Sequence, residues 1–373
     1  MKAGAYVKVT FDDQIFSHQV RGGISNYFVN LAIEYLHDSN LGVNLLGVPF
    51  ITKNAHLKEA GLGVSFPLKS LNKRPILMGA NRLLSTSRRV RRKLVPDIVH
   101  HTYYFDHPSV WRTNPPSRHV ITIHDMIPEL FSEHFSSGNP HFLKKEHILA
   151  ADAIACVSET TKRDLLALYP DLKTPIVVTP LGVSERFTPR CEDQGEHGNY
   201  FLYVGGRGGY KNFDVLLRAY NEVAGDTGAV LVVAGGGAFT SSERDKIKRL
   251  GLERRVRHLS PSNQQLVELY RSAICLIFPS KYEGFGLPTL EAMASGCPTL
   301  LSDTPALVEV GGDAGDYFRA DDVKELARKM VRMTQDTEYR LGMKFRGVQR
   351  ASLFTWSSTA ARTQHCYSRA LSA

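Results

Sequence analysis

Apolar and polar positions follow two alternating patterns along the chain. Short apolar runs such as VITI and AVLVVA predict buried strands, and stretches with apolar residues three and four positions apart, such as NYFVNLAIEYLH, predict amphipathic helices. Near-continuous apolar strands flanked by helices are typical of a parallel sheet covered on both faces. The pattern therefore predicts an α/β protein.

The alternation is interrupted once, by the polar segment SERFTPRCEDQGEHGN at residues 184–199. Its proline, glycine and mixed charges are typical of a linker. We therefore predict an N-terminal Rossmann-like domain over residues 1–183 and a C-terminal Rossmann-like domain over residues 200–354. Because open parallel sheets bind ligands at the carboxyl ends of their strands, a cleft between the domains is the expected site.

The charge is positive and unevenly distributed. The 373 residues carry a net charge of +9, and the stretch from Ala60 to Pro96 holds nine Lys or Arg residues and no Asp or Glu. Such a patch favours anionic partners, although a solvated basic helix face is the alternative. The patch has no interleaved aromatic residues on which bases could stack, so we do not expect nucleic acid as a partner. The residues assigned to membrane or acceptor contact are Arg88, Arg89, Arg91, Arg92 and Lys93.

The compartment is predicted from the termini and the cysteines. The N-terminus reaches acidic residues before any apolar run, so we expect no secretion signal, and no run approaches the roughly 18 apolar residues of a membrane span. The five cysteines show no CxxC spacing, which is typical of free thiols in a reducing cytoplasm. With the basic patch, this predicts a cytoplasmic protein peripheral at the inner face of the cytoplasmic membrane.

The stretch YEGFGLPTLEAMASG, residues 282–296, holds two glutamates eight positions apart, Glu283 and Glu291. It follows the predicted strand ICLIFPS, and a proline after the glycine turn suits the first position of a helix. The amides near Phe285, Gly286 and Leu287 would then present partial positive charge to an anion. A carboxylate cannot itself bind phosphate, so the two glutamates are expected to contact groups on either side of a diphosphate, as in a sugar nucleotide.

This stretch resembles the E-x7-E signature of retaining glycosyltransferases of the GT-B fold, specifically glycosyltransferase family 4. The resemblance implies that Glu291 holds the ribose hydroxyls and that Glu283 lies beside the donor sugar near its reacting carbon. An isolated pair of glutamates is also compatible with a loop charge and a helix-start acid. The glycine turn, the proline and the AMASG tail favour the signature.

A second stretch, YFLYVGGRGGYKN at residues 200–212, places Arg207 and Lys211 in a glycine-rich turn after a predicted strand. Basic side chains and free backbone donors suit a diphosphate, and the stretch resembles the family element that neutralises the leaving group. A solvated basic turn without a binding function is the alternative. A dinucleotide-binding loop is disfavoured because the G-x-G-x-x-G spacing is absent.

Two stretches of the first half complete the resemblance. VITIHDMIPELF, residues 120–131, resembles the family element whose histidine points at the donor sugar, which implies a catalytic-site role for His124; a buried core histidine is the alternative. VRGGISNYFVNLA, residues 20–32, resembles the N-terminal glycine loop beside the donor phosphates, which implies that Gly22 and Gly23 contact the donor. Ordinary loop glycines are the alternative reading there.

The resemblance covers nearly the whole chain and implies the architecture and the reaction. The architecture is GT-B, two Rossmann-like domains facing each other across a cleft, with residues 355–373 crossing back to the N-terminal domain. The reaction moves a hexose, with retention, from a nucleotide-sugar donor to a saccharide or lipid-linked saccharide acceptor in surface polysaccharide biosynthesis. The leading donor is GDP-mannose or a related GDP-deoxyhexose.

No cofactor or metal ion is expected. The adjacent acids Asp12-Asp13 and Asp321-Asp322 do not form a D-x-D motif, and no His/Cys cluster has ligand spacing. Other hypotheses stay open at this point: a UDP- or dTDP-sugar donor, a GT-B sugar-nucleotide epimerase, and a non-enzymatic membrane- or polyanion-binding module.

Overall fold

The computed structural model describes residues 6–47, 51–63, 76, 79–81, 95–113, 117–135, 138–139, 141–190 and 198–373. Residues 191–197 of the predicted linker lie outside the described residues. So do the five basic residues assigned to membrane or acceptor contact, Arg88, Arg89, Arg91, Arg92 and Lys93.

The chain divides into two compact units. The first comprises Met1–Glu129, Phe135–Gly182 and Trp356–Ala373, and the second comprises Leu130–His134 and Val183–Thr355. The chain therefore returns to the first unit for its last helix, after the second unit is complete.

The first unit is built on a parallel sheet of six strands in the order β2-β1-β3-β4-β5-β6. Its strands are β1 Val7–Phe11, β2 Val43–Gly47, β3 Ile98–His101, β4 Arg118–Ile123, β5 Ala153–Cys156 and β6 Ile176–Val178. The residues of β5 are fully buried, as expected of a sheet covered on both faces. Parallel pairing brings the carboxyl ends of β1, β3 and β4 to one edge, where ligands bind in such folds.

Helices follow most strands of the first unit at this edge. They are α1 Gln14–His18, α2 Gly23–His37, α3 Ala55–Glu59, α4 Ile127–Leu130, α5 Lys144–Ala150 and α6 Glu159–Leu168. The side chain of Asn54 caps α3 by accepting from the Leu57 amide, and Ser158 caps α6 in the same way. These local bonds begin the helices where the apolar periodicity begins.

The second unit is built on another six-stranded parallel sheet, in the order β12-β11-β10-β7-β8-β9. Its strands are β7 Tyr200–Val204, β8 Val230–Ala234, β9 Val256–Leu259, β10 Cys275–Phe278, β11 Thr299–Ser302 and β12 Asp316–Phe318. β7 and β10 are neighbours, so the two turns that follow them lie side by side. This neighbourhood carries the predicted donor site.

Seven α-helices of the second unit and one that returns to the first follow β7 in the described part of the chain. They are α7 Phe213–Thr227, α8 Ser241–Arg249, α9 Asn263–Ser272, α10 Leu287–Ala294, α11 Pro305–Gly311, α12 Val323–Gln335, α13 Thr337–Ala351 and α14 Trp356–Ser372. Capping boxes begin α8, at Thr240 and Glu243, and α9, at Ser262 and Gln265. Among the described helices, none combines the length and the hydropathy that crossing a membrane demands.

The last helix, α14, packs on α2 and on β4, β5 and β6 of the first unit. The hydroxyl of Tyr35 on α2 donates to the Ala360 carbonyl at 3.0 Å, and Tyr367 lies 2.9 Å from Nδ1 of His100. Thr359 also donates to the Pro180 carbonyl at 2.7 Å. The C-terminal helix therefore packs onto the first unit through one face, whose residues are buried.

Candidate functional site

The connection from β10 to α10 has the predicted turn and helix start. Gly286 has φ 95°, in the left-handed region, and a Cβ atom placed there would lie 2.5 Å from Cδ2 of Leu307. Glycine is therefore required on two counts, conformation and space. Pro288 follows in the first turn of α10, where its missing N–H costs no hydrogen bond.

The start of α10 presents free backbone donors. Within the described part of the chain, the amides of Phe285, Gly286 and Leu287 donate to no intramolecular acceptor. Together with the helix dipole, such amides attract an anion. The structure therefore supports the chemistry predicted for these three residues, while their contact with a donor stays a prediction.

Lys211 and Glu283 form an ion pair beside this helix start. The Lys211 Nζ donates to Oε1 of Glu283 at 2.7 Å, and only 9% of the Glu283 side chain is exposed. The ammonium also lies 5.1 Å from the ring centre of Tyr210 and 5.6 Å from that of Phe278. The turns after β7 and β10 thus bring one cation and one carboxylate together, although they are 72 residues apart in sequence.

Glu291 lies in the second turn of α10 and is held by a residue that the sequence analysis did not single out. The Tyr270 hydroxyl, at the end of α9, donates to Oε2 of Glu291 at 3.0 Å. Burial raises the pKa of Glu291 to about 7, against the bond from Tyr270 and the charge of Arg186, which both lower it. Tyr270 follows the apolar periodicity of α9, so its sequence position indicates only a core residue.

Arg207 is directed toward the neighbouring turn after β8. Its Nε donates to Oε1 of Glu243 at 2.8 Å, and its terminal nitrogens donate to the carbonyls of Gly235, Gly237 and Ala238 at 3.0–3.1 Å. Only 3% of the side chain is exposed. The guanidinium therefore fixes the glycine turn that follows β8, and its direct contact with a diphosphate stays a prediction.

In the first unit, His124 directly follows β4. Its Nε2 is buried and has no hydrogen-bond partner in the described part of the chain. The ring instead packs edge-on against Tyr27 at 5.2 Å and Phe28 at 6.5 Å. Burial lowers the pKa of His124 to about 4, helped by His141 and Lys144 and opposed by Asp125, so the ring is neutral at pH 7. A neutral ring with an unsatisfied nitrogen suits contact with a sugar hydroxyl.

The predicted glycine loop lies at the start of α2, with Gly22 as the residue before the helix. The amides of Gly23 and Ile24 donate to no intramolecular acceptor among the described residues. A Cβ atom on Gly22 would lie 2.3 Å from Oε1 of Gln19, whereas one on Gly23 would meet open space. The loop therefore resembles the start of α10 in offering free amides, and its contact with a donor stays a prediction.

The acidic pair Asp12-Asp13 is engaged within the first unit. Asp12 accepts from the amide of Thr102 at 3.0 Å and lies 2.8 Å from Nδ1 of His101. Over the described ranges, no three His, Cys, Asp or Glu side chains are grouped so that they could hold a metal ion. Asp12 therefore ties the turn after β1 to the turn after β3.

Each sheet thus gathers its own part of the predicted site at its carboxyl edge. The second unit brings together Lys211, Glu283, the amides at the start of α10, and Glu291. The first unit carries His124 after β4 and the glycine loop before α2.

Family models match both halves of the chain. The family model described as "Glycosyltransferase Family 4" matches residues 21–187, and the model described as "Glycosyl transferases group 1" matches residues 187–349. The O-antigen chain mannosyltransferase B of Escherichia coli is 28% identical over 319 residues, which are 80% of this chain and 82% of that relative.

Solved structures confirm the predicted GT-B fold. Sucrose-phosphate synthase from Thermosynechococcus elongatus superposes with a TM-score of 0.73 at 18% identity, over 97% of this chain and 98% of that one. HepE of Anabaena, in complex with UDP and glucose, superposes with a TM-score of 0.74 at 17% identity, over 97% and 100% of the two chains. The chain therefore belongs to the family 4 glycosyltransferases of the GT-B fold.

Proposed function

We propose that this glycosyltransferase is a retaining enzyme that moves a hexose from a nucleoside diphosphate sugar to an acceptor hydroxyl. The observation that carries the proposal is the 2.7 Å pair of Lys211 and Glu283 beside the free amides at the start of α10. The ammonium and the amides suit the diphosphate, and the two carboxylates suit the hydroxyls on either side. Glu291 takes the ribose and Glu283 takes the sugar.

The chemistry that suits these residues is a displacement on one face of the sugar. The bond from the anomeric carbon to the leaving diphosphate breaks, and a bond from that carbon to the acceptor oxygen forms on the same face. The acceptor proton passes to an oxygen of the leaving phosphate. Lys211 and the amides of α10 stabilise the charge that develops on the diphosphate as it departs.

The remaining roles concern the sugar, which gains oxocarbenium character in the transition state. A neutral His124 with an unsatisfied Nε2 orients a sugar hydroxyl without adding positive charge. Glu283 contributes negative charge near the same centre. Lys211 and the amides of α10 supply the positive charge for the leaving group, so we propose that transfer proceeds without a divalent ion. Full activity in EDTA is the expected result.

We propose GDP-mannose, or a related GDP-deoxyhexose, as the donor, and a saccharide or lipid-linked saccharide of a surface polysaccharide as the acceptor. The support is the E. coli relative, whose name identifies it as an O-antigen chain mannosyltransferase. We also propose that the enzyme is cytoplasmic and binds the anionic inner face of the membrane through the basic stretch of residues 85–94. Equal co-sedimentation with neutral and anionic liposomes would contradict this membrane role.

The test combines nucleotide titration with donor turnover in Glu283→Ala and Glu291→Ala. Glu291→Ala should weaken GDP binding by at least about tenfold, roughly the value of one lost hydrogen bond to a charged group. Glu283→Ala should keep GDP affinity within a few-fold and lose turnover of GDP-mannose by about a hundredfold or more. Glu222→Ala, an exposed position on α7, is the matched control and should change neither quantity.

Three outcomes would contradict the proposal. Full GDP affinity in Glu291→Ala would remove the ribose assignment. Conversion of the donor alone into a free epimeric sugar, with no transfer to any acceptor, would favour an epimerase. Inversion of the anomeric centre in the isolated product, read by NMR, would exclude the retaining mechanism.

A further inference from the structure

Lys144 is the first residue of α5, and only 1% of its side chain is exposed. Its Nζ donates to the main-chain carbonyl of Asp125 at 2.9 Å and lies 2.8 Å from Oε2 of Glu129. Asn139 completes the group by donating to the other oxygen of Glu129 at 3.2 Å. The buried ammonium therefore contacts two groups of the segment that follows β4, the Asp125 carbonyl and the Glu129 carboxylate.

Such an arrangement is not explained by stability. Removing an ammonium from water costs several kcal/mol, and buried ion pairs are often replaced by apolar side chains without loss of stability. Apolar side chains at positions 144 and 129 together would fill the same space without removing two charges from water. The buried charge of Lys144 therefore indicates a function other than stabilising the fold.

The segment that the ammonium holds begins at His124. Asp125 is bonded on both of its sides, since its carbonyl accepts from Lys144 and its carboxylate Oδ1 accepts from the Ile127 amide at 3.0 Å. The His124 ring has no hydrogen bond of its own among the described residues and packs only edge-on against two aromatic rings. Its direction is therefore set by its main chain, which Lys144 fixes one residue later.

We propose that Lys144 is a positioning residue for His124, acting through the carbonyl of Asp125 and anchored by Glu129. The inference rests on the proposed function, because it takes His124 as the group that contacts the donor sugar. The ammonium also supports the neutral state of the ring, since Lys144 and His141 lower the pKa of His124 while Asp125 raises it.

The experiment uses a neutral pair in the full-length chain, Lys144→Met with Glu129→Leu. Removing both charges avoids the unpaired carboxylate that Lys144→Met alone would leave, so the paired variant should melt close to the wild type. Its GDP affinity should stay within about twofold, because the nucleotide residues are untouched. Its kcat for GDP release from GDP-mannose should fall about ten- to a hundredfold, with KM changing less.

A double-mutant cycle separates positioning from a general structural effect. In a His124→Ala background, the neutral pair should cause no further loss of kcat, because the positioned group is already gone. A loss that is equally large with and without His124 would overturn the proposal. So would wild-type kcat in the paired variant.

A second neutral pair covers the case in which the first does not fold. Lys144→Gln with Glu129→Gln keeps polar groups in place, but the shorter glutamine does not reach the Asp125 carbonyl, so the same loss of kcat is expected. If neither pair folds, the ion pair is needed for folding and the proposal is overturned. If His124→Ala itself keeps full turnover, the role of His124 in the proposed function fails instead.

Discussion

At the scale of single residues, Glu291 is the group whose ionisation is most closely tied to the proposed binding of nucleotide. Its pKa of about 7 results from burial, which outweighs the bond from Tyr270. Ribose hydroxyls donate hydrogen bonds, so the ionised carboxylate is the form that accepts them best. Because the pKa is raised, this form is lost as the pH falls through 7.

We predict that GDP affinity rises about tenfold between pH 6 and pH 8, since the ionised fraction of a group with a pKa near 7 rises from about a tenth to about nine tenths over that range. Isothermal titration at constant ionic strength measures this. Glu291→Gln is the control, because the phosphates of GDP titrate equally with both proteins. The same pH slope in both proteins would show that Glu291 does not contact the nucleotide.

At the scale of elements, the β10–α10 connection determines where the free amides point. Gly286 adopts φ 95°, and Leu307 of α11 leaves no room for a side chain. Substitution there displaces the loop that carries Glu283 and the start of α10. The β10–α10 connection as a whole, more than any one side chain, is therefore what would form the proposed anion site.

We predict that Gly286→Ala destabilises the protein by about 1–3 kcal/mol, the usual cost of a strained backbone conformation, and weakens GDP binding. Urea unfolding and titration measure the two effects. Gly225→Ala is the matched control, because Gly225 lies on α7 with open space around it, and alanine there should be neutral or stabilising by up to about 1 kcal/mol. Unchanged GDP affinity in Gly286→Ala would argue against the anion site at α10.

The same scale explains which elements the sequence predicts and which it does not. Strands such as β4 and β8 and helices such as α7 and α12 were predictable, because burial on both faces and a 3.6-residue periodicity leave a clear pattern. β12 was missed because three residues are too few to show a pattern. α11 was missed because its seven residues are too few to show a clear helical periodicity, although Pro305 occupies the first helical position.

Contacts between distant elements could not be predicted. The motif residues Glu283 and Lys211 were identified, but their direct pairing depends on β7 and β10 being neighbours. The sequence places Tyr270 and Lys144 in ordinary amphipathic helices. Their contacts with the Glu291 carboxylate and the Asp125 carbonyl follow only from the fold. Arg207 shows the same limit, since its partners follow β8.

At the scale of the whole molecule, the return of the chain to the first unit is the main organising feature. Tyr367, Cys366 and Ala370 of α14 are fully buried, although they follow the second unit in sequence. Tyr367 also lies 2.9 Å from His100 on β3. The first unit is therefore incomplete until α14 has been synthesised.

We predict that a chain ending at Thr355 exposes this surface and loses the stability of the first unit, at roughly 1.5–3 kcal/mol for each large side chain that α14 buries. Limited proteolysis should cleave residues 6–182 of the truncated chain at concentrations that leave the full chain intact. A chain ending at Leu371 lacks only exposed residues and should behave as the full chain. Equal resistance of the two truncations would contradict the role of α14.

We propose above all that the second unit binds a guanosine diphosphate sugar at the start of α10. A thermal-shift panel in EDTA with GDP, UDP, ADP, CDP and dTDP tests it most directly. A ligand present at a hundred times its Kd stabilises the folded state by about 2.7 kcal/mol, which a melting curve resolves. We predict a clear rise in Tm with GDP and little with the others. A rise with UDP or dTDP alone would contradict the GDP assignment, and no rise with any nucleotide, with or without magnesium, would contradict the donor site itself.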